Sequence, residues 1–130
     1  MNNAPLTVVG NLVAEPELKF IANGNAIANM RIAVNHRRKT EGEWGDESSF
    51  LTITAWDTLG ENCAASLSKG MRVIATGRLQ IREYENAAGE KRSSTELVAE
   101  AVGPDLRFAT VDVSRIDRTS GTDTRNEEPF

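Results

Sequence analysis

The sequence predicts an all-β domain, a five-stranded barrel with one short helix between strands 3 and 4, plus a disordered C-terminal tail. Three observations lead to this prediction. Several runs alternate apolar and polar residues at the two-residue period of a strand, with turn residues between them. One segment carries a helical stripe, and a glycine interrupts the longest strand, as a coiled barrel strand requires. We assign residues 1–110 to the domain and residues 111–130 to the tail.

The composition is that of a globular chain. The 130 residues are 39% hydrophobic and 26% charged, enough for one domain with a buried core. No run of about 18 apolar residues occurs, and the N-terminus lacks the basic start and apolar block of a secretory signal. The single cysteine, Cys63, cannot form an internal disulfide. A reducing cytoplasm is therefore the expected location.

The charge balance argues against a simple nucleic-acid-binding protein. The formal net charge is −4 and the pI is about 5.1, whereas such domains are usually basic. Five acidic against three basic residues after Thr110 leave the tail at −2 and the domain at −2. The domain is only mildly acidic, so a basic stripe on one face remains possible.

The first strand is predicted over Leu6–Val13, with Gly10-Asn11 marking a bulge or bend. Leu18–Ala22 is predicted as its short continuation. A hairpin turn at residues 23–25 then leads into the second strand, Ala26–Asn35. The inward-facing residues of this second strand are Ala28, Met30, Ile32 and Val34.

A long exposed loop is predicted over His36–Glu47, because the segment is charged and punctuated by glycine, and it carries Trp44. The third strand, Ser48–Trp56, follows. Its core face is Leu51, Ile53 and Ala55. Phe50 and Trp56 instead share the polar face with two threonines. A ring on that face either covers part of the protein or is available to a flat partner from outside.

One helix is predicted over Leu59–Leu67, where apolar residues that include Cys63 recur at i, i+4 and i+8. Asp57 or Thr58 is expected to cap its start. Gly70 lies where a left-handed residue would end it.

The fourth strand, Met71–Glu85, is long and has two different faces. The inward set is Val73, Ala75, Leu79 and Ile81, with Gly77 allowing the strand to coil. The outward set is Arg72, Thr76, Arg78, Gln80, Arg82 and Tyr84. A hairpin tip at Asn86–Gly89 returns the chain into the fifth strand, Arg92–Val102, and Gly103-Pro104 ends the pairing.

The end of the chain has little periodicity. Leu106–Val113 is predicted as one more short extended piece, and Arg115–Phe130 as disordered because it is polar and aperiodic. Five strands, a helix between the third and fourth, and a glycine within a long fourth strand together describe an OB-fold barrel.

Three outward rings predict a surface for unpaired nucleobases. Phe50, Trp56 and Tyr84 share their phase with polar neighbours, and a base stacked on such a ring contributes roughly 1–3 kcal/mol whatever its identity. Cations on neighbouring strands would contact the phosphates, so binding should weaken as salt rises. These cations are Arg31, Arg72, Arg78 and Arg82. Few Asn or Gln side chains cluster to read base edges, so the predicted binding tolerates any sequence.

Other interpretations of this face remain open. A single aromatic residue on a strand is more often a packing residue than a ligand platform. Trp44 could equally fold back over the barrel. The whole face could bind protein, in an OB-fold interaction subunit that does not hold DNA, and an unrecognised nuclease is a third class.

The sequence does not predict catalysis. His36 is the only histidine and lies in the charged loop, and Cys63 lies on the apolar stripe of the helix, where packing is its expected role. The carboxylates, including Glu61, Glu83 and Glu85, are scattered, and no phosphate-cradling glycine loop occurs. We expect no enzyme, no cofactor and no metal site.

Several motifs occur in order along the chain: V-V-G-N-L-V-A-E-P-E-L-K-F, N-G-N-A-I-A-N-M-R-I-A-V-N, F-L-T-I-T-A-W, S-L-S-K-G-M-R-V-I-A-T-G-R-L and R-E-Y-E-N-A-A-G-E-K-R. From about Leu6 to Thr110 the chain resembles the bacterial single-stranded DNA-binding protein (SSB) family. The close of the domain, G-P-D-L-R-F-A-T-V-D-V-S, is most similar to the actinobacterial branch. The resemblance implies an OB-fold homotetramer that wraps single-stranded DNA during replication, repair and recombination.

The resemblance also implies site residues. The family's stacking positions map onto Phe50, Trp56 and Tyr84, and two of its basic positions match Lys69 and Arg82. Near Arg38, a charged contact would replace a stacking ring seen in some members. The complete candidate DNA-binding set is Arg31, Arg37, Arg38, Trp44, Phe50, Trp56, Lys69, Arg72, Arg78, Arg82 and Tyr84. By the same analogy, residues 109–114 would add a hook-like strand onto a neighbouring subunit.

The C-terminal tip extends the resemblance. Family members commonly end in an acidic run closing on Pro-Phe, which partner proteins capture, and this chain ends Glu127-Glu128-Pro129-Phe130. The implied partners are single-stranded DNA, further copies of the chain, and replication and repair proteins that dock at the tip.

Overall fold

The computed structural model describes residues 4–116, apart from the side chains of Arg38 and Thr40. The described residues form six strands and one helix. The strands are β1 (Pro5–Leu12), β2 (Glu17–Phe20), β3 (Ala26–Thr40), β4 (Glu43–Trp56), β5 (Arg72–Glu85) and β6 (Lys91–Pro104), and helix α1 spans Asp57–Ser66 between β4 and β5.

The strands close into a ring. Their hydrogen-bonded order is β1-β5-β6-β4-β3-β2, and β1 also pairs with β3 at Asn11↔Ala33 and Leu12↔Ile32, which completes the closure. β4 and β6 run parallel, and the other pairs are antiparallel. The predicted all-β fold with one helix is confirmed. The structure has six strands where the sequence predicts five. The additional strand is β2, which is predicted as a continuation of the first strand but pairs with β3 as a short edge strand.

Aliphatic side chains fill the inside of the ring. The largest fully buried ones are Leu12, Ile32, Ile53, Val73 and Leu97. Burying each side chain of this size stabilises the fold by roughly 1.5–3 kcal/mol. The predicted stripe of α1 packs against this core, with Cys63 and Leu67 buried and Leu59 half-buried.

Gly77 lies where the backbone of β6 approaches β5 closely. The pairing register shifts between Thr76 and Gly77, which marks a β-bulge. A Cβ atom at position 77 would overlap the Val98 carbonyl oxygen and would lie 2.8 Å from Ala99 Cα. Glycine is therefore needed at position 77 because the backbone of β6 leaves no space for a side chain there.

The predicted loop over His36–Glu47 is wrong. These residues continue β3 and β4 as a regular hairpin, paired from His36↔Glu47 to Thr40↔Glu43. The chain reverses at Glu41 and Gly42, whose φ angles are 54° and 83°, as a two-residue hairpin turn requires. We call residues 36–47 the β3–β4 arm. It extends beyond the core, so its strands lack a buried face and the apolar alternation that marks one.

A second hairpin, the β5–β6 arm (residues 81–95), also extends past the core. Ile81 has the inward phase that the sequence predicts, but it is 62% exposed, so its predicted burial is wrong. The ring ends near Leu79, and beyond it the inward phase faces solvent. The hairpin tip is as predicted, because the Asn86 side-chain oxygen accepts hydrogen bonds from the N–H groups of Ala88 and Glu90.

Helix α1 begins two residues earlier than predicted and ends one residue earlier. Its N-cap residue is Trp56, which makes no side-chain capping hydrogen bond, so the predicted cap at Asp57 or Thr58 is wrong. Gly70 has the predicted left-handed backbone, with φ of 93°, and its N–H donates to the Leu12 carbonyl oxygen at 2.8 Å.

After β6 the described chain leaves the ring. Leu106–Val113, predicted as an extended piece, forms no strand: it turns after Asp105 and then follows an irregular path. The predicted disordered tail and the tip, Glu127 to Phe130, lie mostly or wholly outside the described residues.

Candidate nucleic-acid interface

Backbone register places the predicted rings of β4 on one face of the sheet. Residues directly paired on neighbouring strands point to the same side. Trp44 pairs with Lys39, Phe50 with Ala33, and Trp56 with Ile27. All of them have the phase opposite to the buried residue Ile53. We call this side of the strands the outward face.

The outward face continues around the ring onto β5 and β6. Glu96 of β6 pairs with both Thr52 of β4 and Gln80 of β5, so these three residues face the same side of the sheet. Tyr84 lies four residues from Gln80 and therefore shares that phase. The exposed fractions of the rings are 60% for Trp44, 52% for Phe50, 39% for Trp56 and 51% for Tyr84. The rings are thus accessible from outside.

The rings are spaced along β4. Trp44, Phe50 and Trp56 follow one another at six-residue intervals, which separates successive rings by roughly 20 Å along an extended strand. Trp44 lies on the β3–β4 arm and does not fold back over the barrel. One strand therefore presents three flat side chains in a row.

Cations lie over two of these rings. The central guanidinium carbon of Arg31 is 5.3 Å from the centroid of Phe50. The central guanidinium carbon of Arg37 is 5.5 Å from the centroid of the Trp44 ring, and Lys39 Nζ is 5.9 Å from it. The Arg31 side chain also donates to the Thr52 hydroxyl at 3.4 Å. Each of these rings therefore has a positive charge within reach of whatever lies against it.

Charge is sorted between the two phases of the strands. The cations in the outward phase are Lys19, Arg31, Arg37, Lys39, Arg72, Arg78, Arg82 and Arg92. The acids in that phase are Glu17, Asp46 and Glu96. On the two arms, the opposite phase holds four acids, Glu43, Glu47, Glu83 and Glu85, against the two cations Arg38 and Lys91. A chain with net charge −4 thus carries a predominantly basic face.

The acids of the outward phase each lie beside a cation. The nitrogen-to-oxygen distances are 3.7 Å for Lys19–Glu17, 3.9 Å for Arg37–Asp46 and 4.0 Å for Arg82–Glu96. Most of these side chains are largely exposed, and such pairs contribute only about 0–1 kcal/mol. A phosphate can compete for these cations.

Two predicted cations lie apart from the rings. Arg72 has the outward phase but is at the opposite end of β5 from Tyr84, where its Nε donates to the Asp105 carboxylate at 2.7 Å. Lys69 lies in the turn before β5, and its backbone N–H donates to the Glu15 carboxylate. Arg38 pairs with Gly45 and is one residue out of phase with Arg37. Arg78, by contrast, is exposed in the outward phase, opposite Val98.

Three cations of the outward face were missed from the sequence. Lys39 faces Trp44 across the arm, Arg92 faces Tyr84 across the β5–β6 hairpin, and Lys19 lies in one row with Ile27 and Trp56. Two strand spacings place Lys19 roughly 10 Å from Trp56. Pairing Tyr84 with Arg92 across the predicted tip would have found one of them.

Within residues 4–116 no cluster of three or more His, Cys, Asp or Glu residues could hold a metal ion. No helix in that part of the chain is long and apolar enough to cross a membrane. Cys63 is buried, and burial raises the pKa of its thiol to about 11, consistent with a packing role.

The strands close into a β barrel with one helix, and aromatic and cationic side chains share its outward face. These features define an OB-fold binding domain. The model of the Single-strand binding protein family matches residues 1–105. The chain belongs to this family, which confirms the resemblance seen in the sequence. The family is one of binding proteins and not of enzymes, in agreement with the prediction.

Relatives and a solved structure support the assignment. The chain is 53% identical over 116 residues to a single-stranded DNA-binding protein of Corynebacterium glutamicum, covering 87% of this chain and 52% of the relative. It is 44% identical over 119 residues to that of Mycobacterium leprae, covering 89% and 71%. The small single-stranded DNA-binding protein from Streptomyces coelicolor matches with a TM-score of 0.68 and 33% identity, over 82% of this chain and 97% of that one. The chain spans about half the length of the C. glutamicum relative.

Proposed function

We propose that the chain binds and protects single-stranded DNA with little regard for sequence. The observation that carries the proposal is the outward face itself, on which Phe50, Trp56 and Tyr84 are exposed in one phase among cations. The names of the relatives, which are single-stranded DNA-binding proteins, support the same ligand.

Stacking would supply the sequence-tolerant part of the affinity. Each base stacked on a ring contributes roughly 1–3 kcal/mol, and every base has a flat face. Because the aromatic rings on β4 are about 20 Å apart, two of them cannot stack on neighbouring bases of the DNA strand. The strand would therefore touch the rings at intervals, with the nucleotides between them held through their phosphates.

Arginine and lysine would hold those phosphates. Arg31, Arg78 and Arg82 lie between or beside the rings, and Arg37 and Trp44 extend the same chemistry along the β3–β4 arm. Arg38, Lys69 and Arg72 remain candidates at the margins of this path. Each phosphate contact releases counterions, so affinity should fall as salt rises.

The biological setting belongs to the same proposal. The chain would act as a homotetramer in the cytoplasm, on the nucleoid, during replication, repair and recombination. Residues 109–114 would hook onto a neighbouring subunit, and the tip at residues 127–130 would dock replication and repair proteins. The exposure of Val111 and Val113 is consistent with a hook, since these apolar side chains have little cover within one subunit.

Titration with oligo-dT, followed by intrinsic tryptophan emission, tests the proposal. Trp44 and Trp56 are both exposed on the proposed path. We expect strong quenching at low salt that is reversed by added salt. No quenching and no retardation of a labelled strand would overturn DNA binding and favour an OB-fold interaction subunit. Loss of the labelled strand over time with magnesium present would instead indicate a nuclease.

A further inference from the structure

A further pair of a cation and a ring lies outside the outward face. Phe108 is 74% exposed, and the central guanidinium carbon of Arg107 lies 5.1 Å from its centroid. The described residues contain three rings with cations over them, and the other two are the proposed base platforms Phe50 and Trp44. Phe108 therefore repeats the local chemistry of the interface at a separate place.

Asp105 holds this pair in position. Its carboxylate accepts a hydrogen bond from Arg72 Nε at 2.7 Å and another from the Arg107 N–H at 3.0 Å. The Asp105 N–H donates to the Arg72 carbonyl oxygen at 2.8 Å. Two of these hydrogen bonds tie the turn that carries Arg107 and Phe108 to Arg72 at the end of β5, and the third lies within the turn.

A cavity of about 640 Å³ lies beside this turn. Its lining includes Lys69, Arg72 and Phe108. This volume is in the range of sites that hold small organic ligands, and a nucleotide unit is of that size. The lining offers the flat ring of Phe108 for a base and Lys69 for a phosphate. Arg107 does not line the cavity, but its guanidinium lies over the Phe108 ring and adds positive charge beside it.

The cavity lies beside the Arg72 end of the outward face. Arg72 has the same phase on β5 as Arg78, Arg82 and Tyr84. The twelve residue steps from Arg72 to Tyr84 span about 40 Å of strand. A strand of DNA that follows this side of β5 away from Tyr84 would pass Arg78 and arrive at Arg72 and the cavity.

We infer that Lys69, Arg107 and Phe108 form a second contact for the bound single strand, which takes one nucleotide by stacking its base on Phe108 and holding its phosphate with Lys69 or Arg107. The inference rests on the proposed function. It assigns Lys69 to this second contact and separates it from the ring-bearing face.

Two lengths of oligo-dT separate the second contact from the first. An oligomer of about 8 nucleotides fits within one OB-fold site, whereas one of about 35 nucleotides extends past it. We expect Phe108→Ala to weaken binding of the long strand about fivefold or more and to leave the short strand within about twofold of wild type. Leu106→Ala removes another exposed apolar side chain of the same turn, outside the cavity lining, and should change neither affinity.

Two further variants distinguish stacking from a contact between subunits. Phe108→Tyr keeps the flat ring and should bind the long strand as wild type does. Phe108→Leu keeps an apolar side chain without a flat ring and should lose long-strand affinity as the alanine variant does. Equal binding by Phe108→Leu and wild type, or a change in solution mass that accounts for the loss, would overturn the inference.

The two proposals fail in different ways. If wild type binds neither strand, the proposed function fails. If wild type binds both strands and Phe108→Ala matches it on the long one, only the second contact fails.

Discussion

The guanidinium of Arg31 lies over the ring of Phe50, with 5.3 Å between its central carbon and the ring centroid. The two residues come from adjacent strands, where Arg31 pairs with Thr52 and Phe50 pairs with Ala33, so they are diagonal neighbours. A base and a guanidinium stacked on the same side of the ring would need about 7 Å, two layers of van der Waals contact. A base that stacks on this side of Phe50 must therefore displace Arg31.

The magnitudes favour that exchange. An exposed cation–π contact contributes about 0.5–1 kcal/mol, whereas a stacked base contributes roughly 1–3 kcal/mol. The displaced Arg31 guanidinium would then be available to a phosphate of the same strand. The cation–π contact in the free protein thus holds Arg31 close to the place where a base would stack on Phe50, and Arg31 could bind the phosphate of that nucleotide.

The salt dependence should separate outward from inward cations. Arg82→Ala removes an outward cation and should reduce the slope of log K against log salt by about 0.7, the value for one phosphate on a single strand. Lys91→Ala removes a cation paired with Glu85 in the opposite phase and should leave the slope unchanged. Equal slopes for the two variants would contradict the assignment of the outward face. Oligo-dT titrations at several salt concentrations provide the measurement.

The approach of β6 to Gly77 should make that position intolerant of any side chain. Gly77→Ala places a Cβ atom against backbone atoms of Val98 and Ala99, which cannot move independently of the strand. We expect it to lower the free energy of unfolding by at least about 1–3 kcal/mol in urea denaturation. Gly45→Ala has open space around its Cβ and should change stability by less than about 0.5 kcal/mol. Similar losses for both variants would show that the bulge is not the cause.

Cys63 should react slowly with alkylating reagents in the folded protein. Burial raises the pKa of its thiol to about 11, so at about pH 8 only on the order of one molecule in a thousand carries the thiolate. Labelling with iodoacetamide, followed by mass spectrometry, should be slow in buffer and fast in urea. Equal rates in the two conditions would mean that the α1 stripe is not packed against the core.

The ion pair between Asp105 and Arg72 should make stability depend on pH in acid. The Arg72 side chain, followed by the Arg107 N–H, holds the pKa of Asp105 below its ordinary value of 3.8. A lowered pKa stabilises the folded state above the unfolded pKa, and this contribution disappears as pH falls through the folded pKa. Asp105→Asn should therefore be less stable than wild type at about pH 7, with the difference shrinking as the pH falls below 3.8 toward the lowered pKa of Asp105. Asp112→Asn, in the irregular segment, should match wild type throughout, and a constant difference for Asp105→Asn would argue against the ion pair.

The phases of the strands could be predicted from the sequence because a buried core imposes the two-residue period. Ile53 and Val73 are buried as predicted, and Phe50 and Tyr84 are exposed on the other side. The pairing register adds information that the sequence of one strand does not contain, namely which residues of neighbouring strands face the same side. It shows that β4 and β5 present their polar sides on one continuous face through Glu96.

The β3–β4 arm could not be predicted in the same way. In the β3–β4 arm both sides face solvent, so charged residues such as Arg37 and Glu47 occupy either phase and the strand period is lost. Gly42 marks the turn of this arm, but one glycine in a charged segment does not distinguish a hairpin from a loop. The pairing of Arg72 with Asp105 joins residues 33 positions apart, which no local pattern reveals.

The most direct test of the account compares oligo-dT affinity for four aromatic substitutions. Phe50→Ala, Trp56→Ala and Tyr84→Ala each remove an outward ring, and Phe20→Ala removes a ring that is 63% exposed but has the opposite phase, paired with buried Ala26. We expect each of the first three to weaken binding by roughly 1–3 kcal/mol, and Phe20→Ala to bind within about twofold of wild type. Undiminished binding by the three outward variants, or an equal loss in Phe20→Ala, would contradict stacking on the outward face.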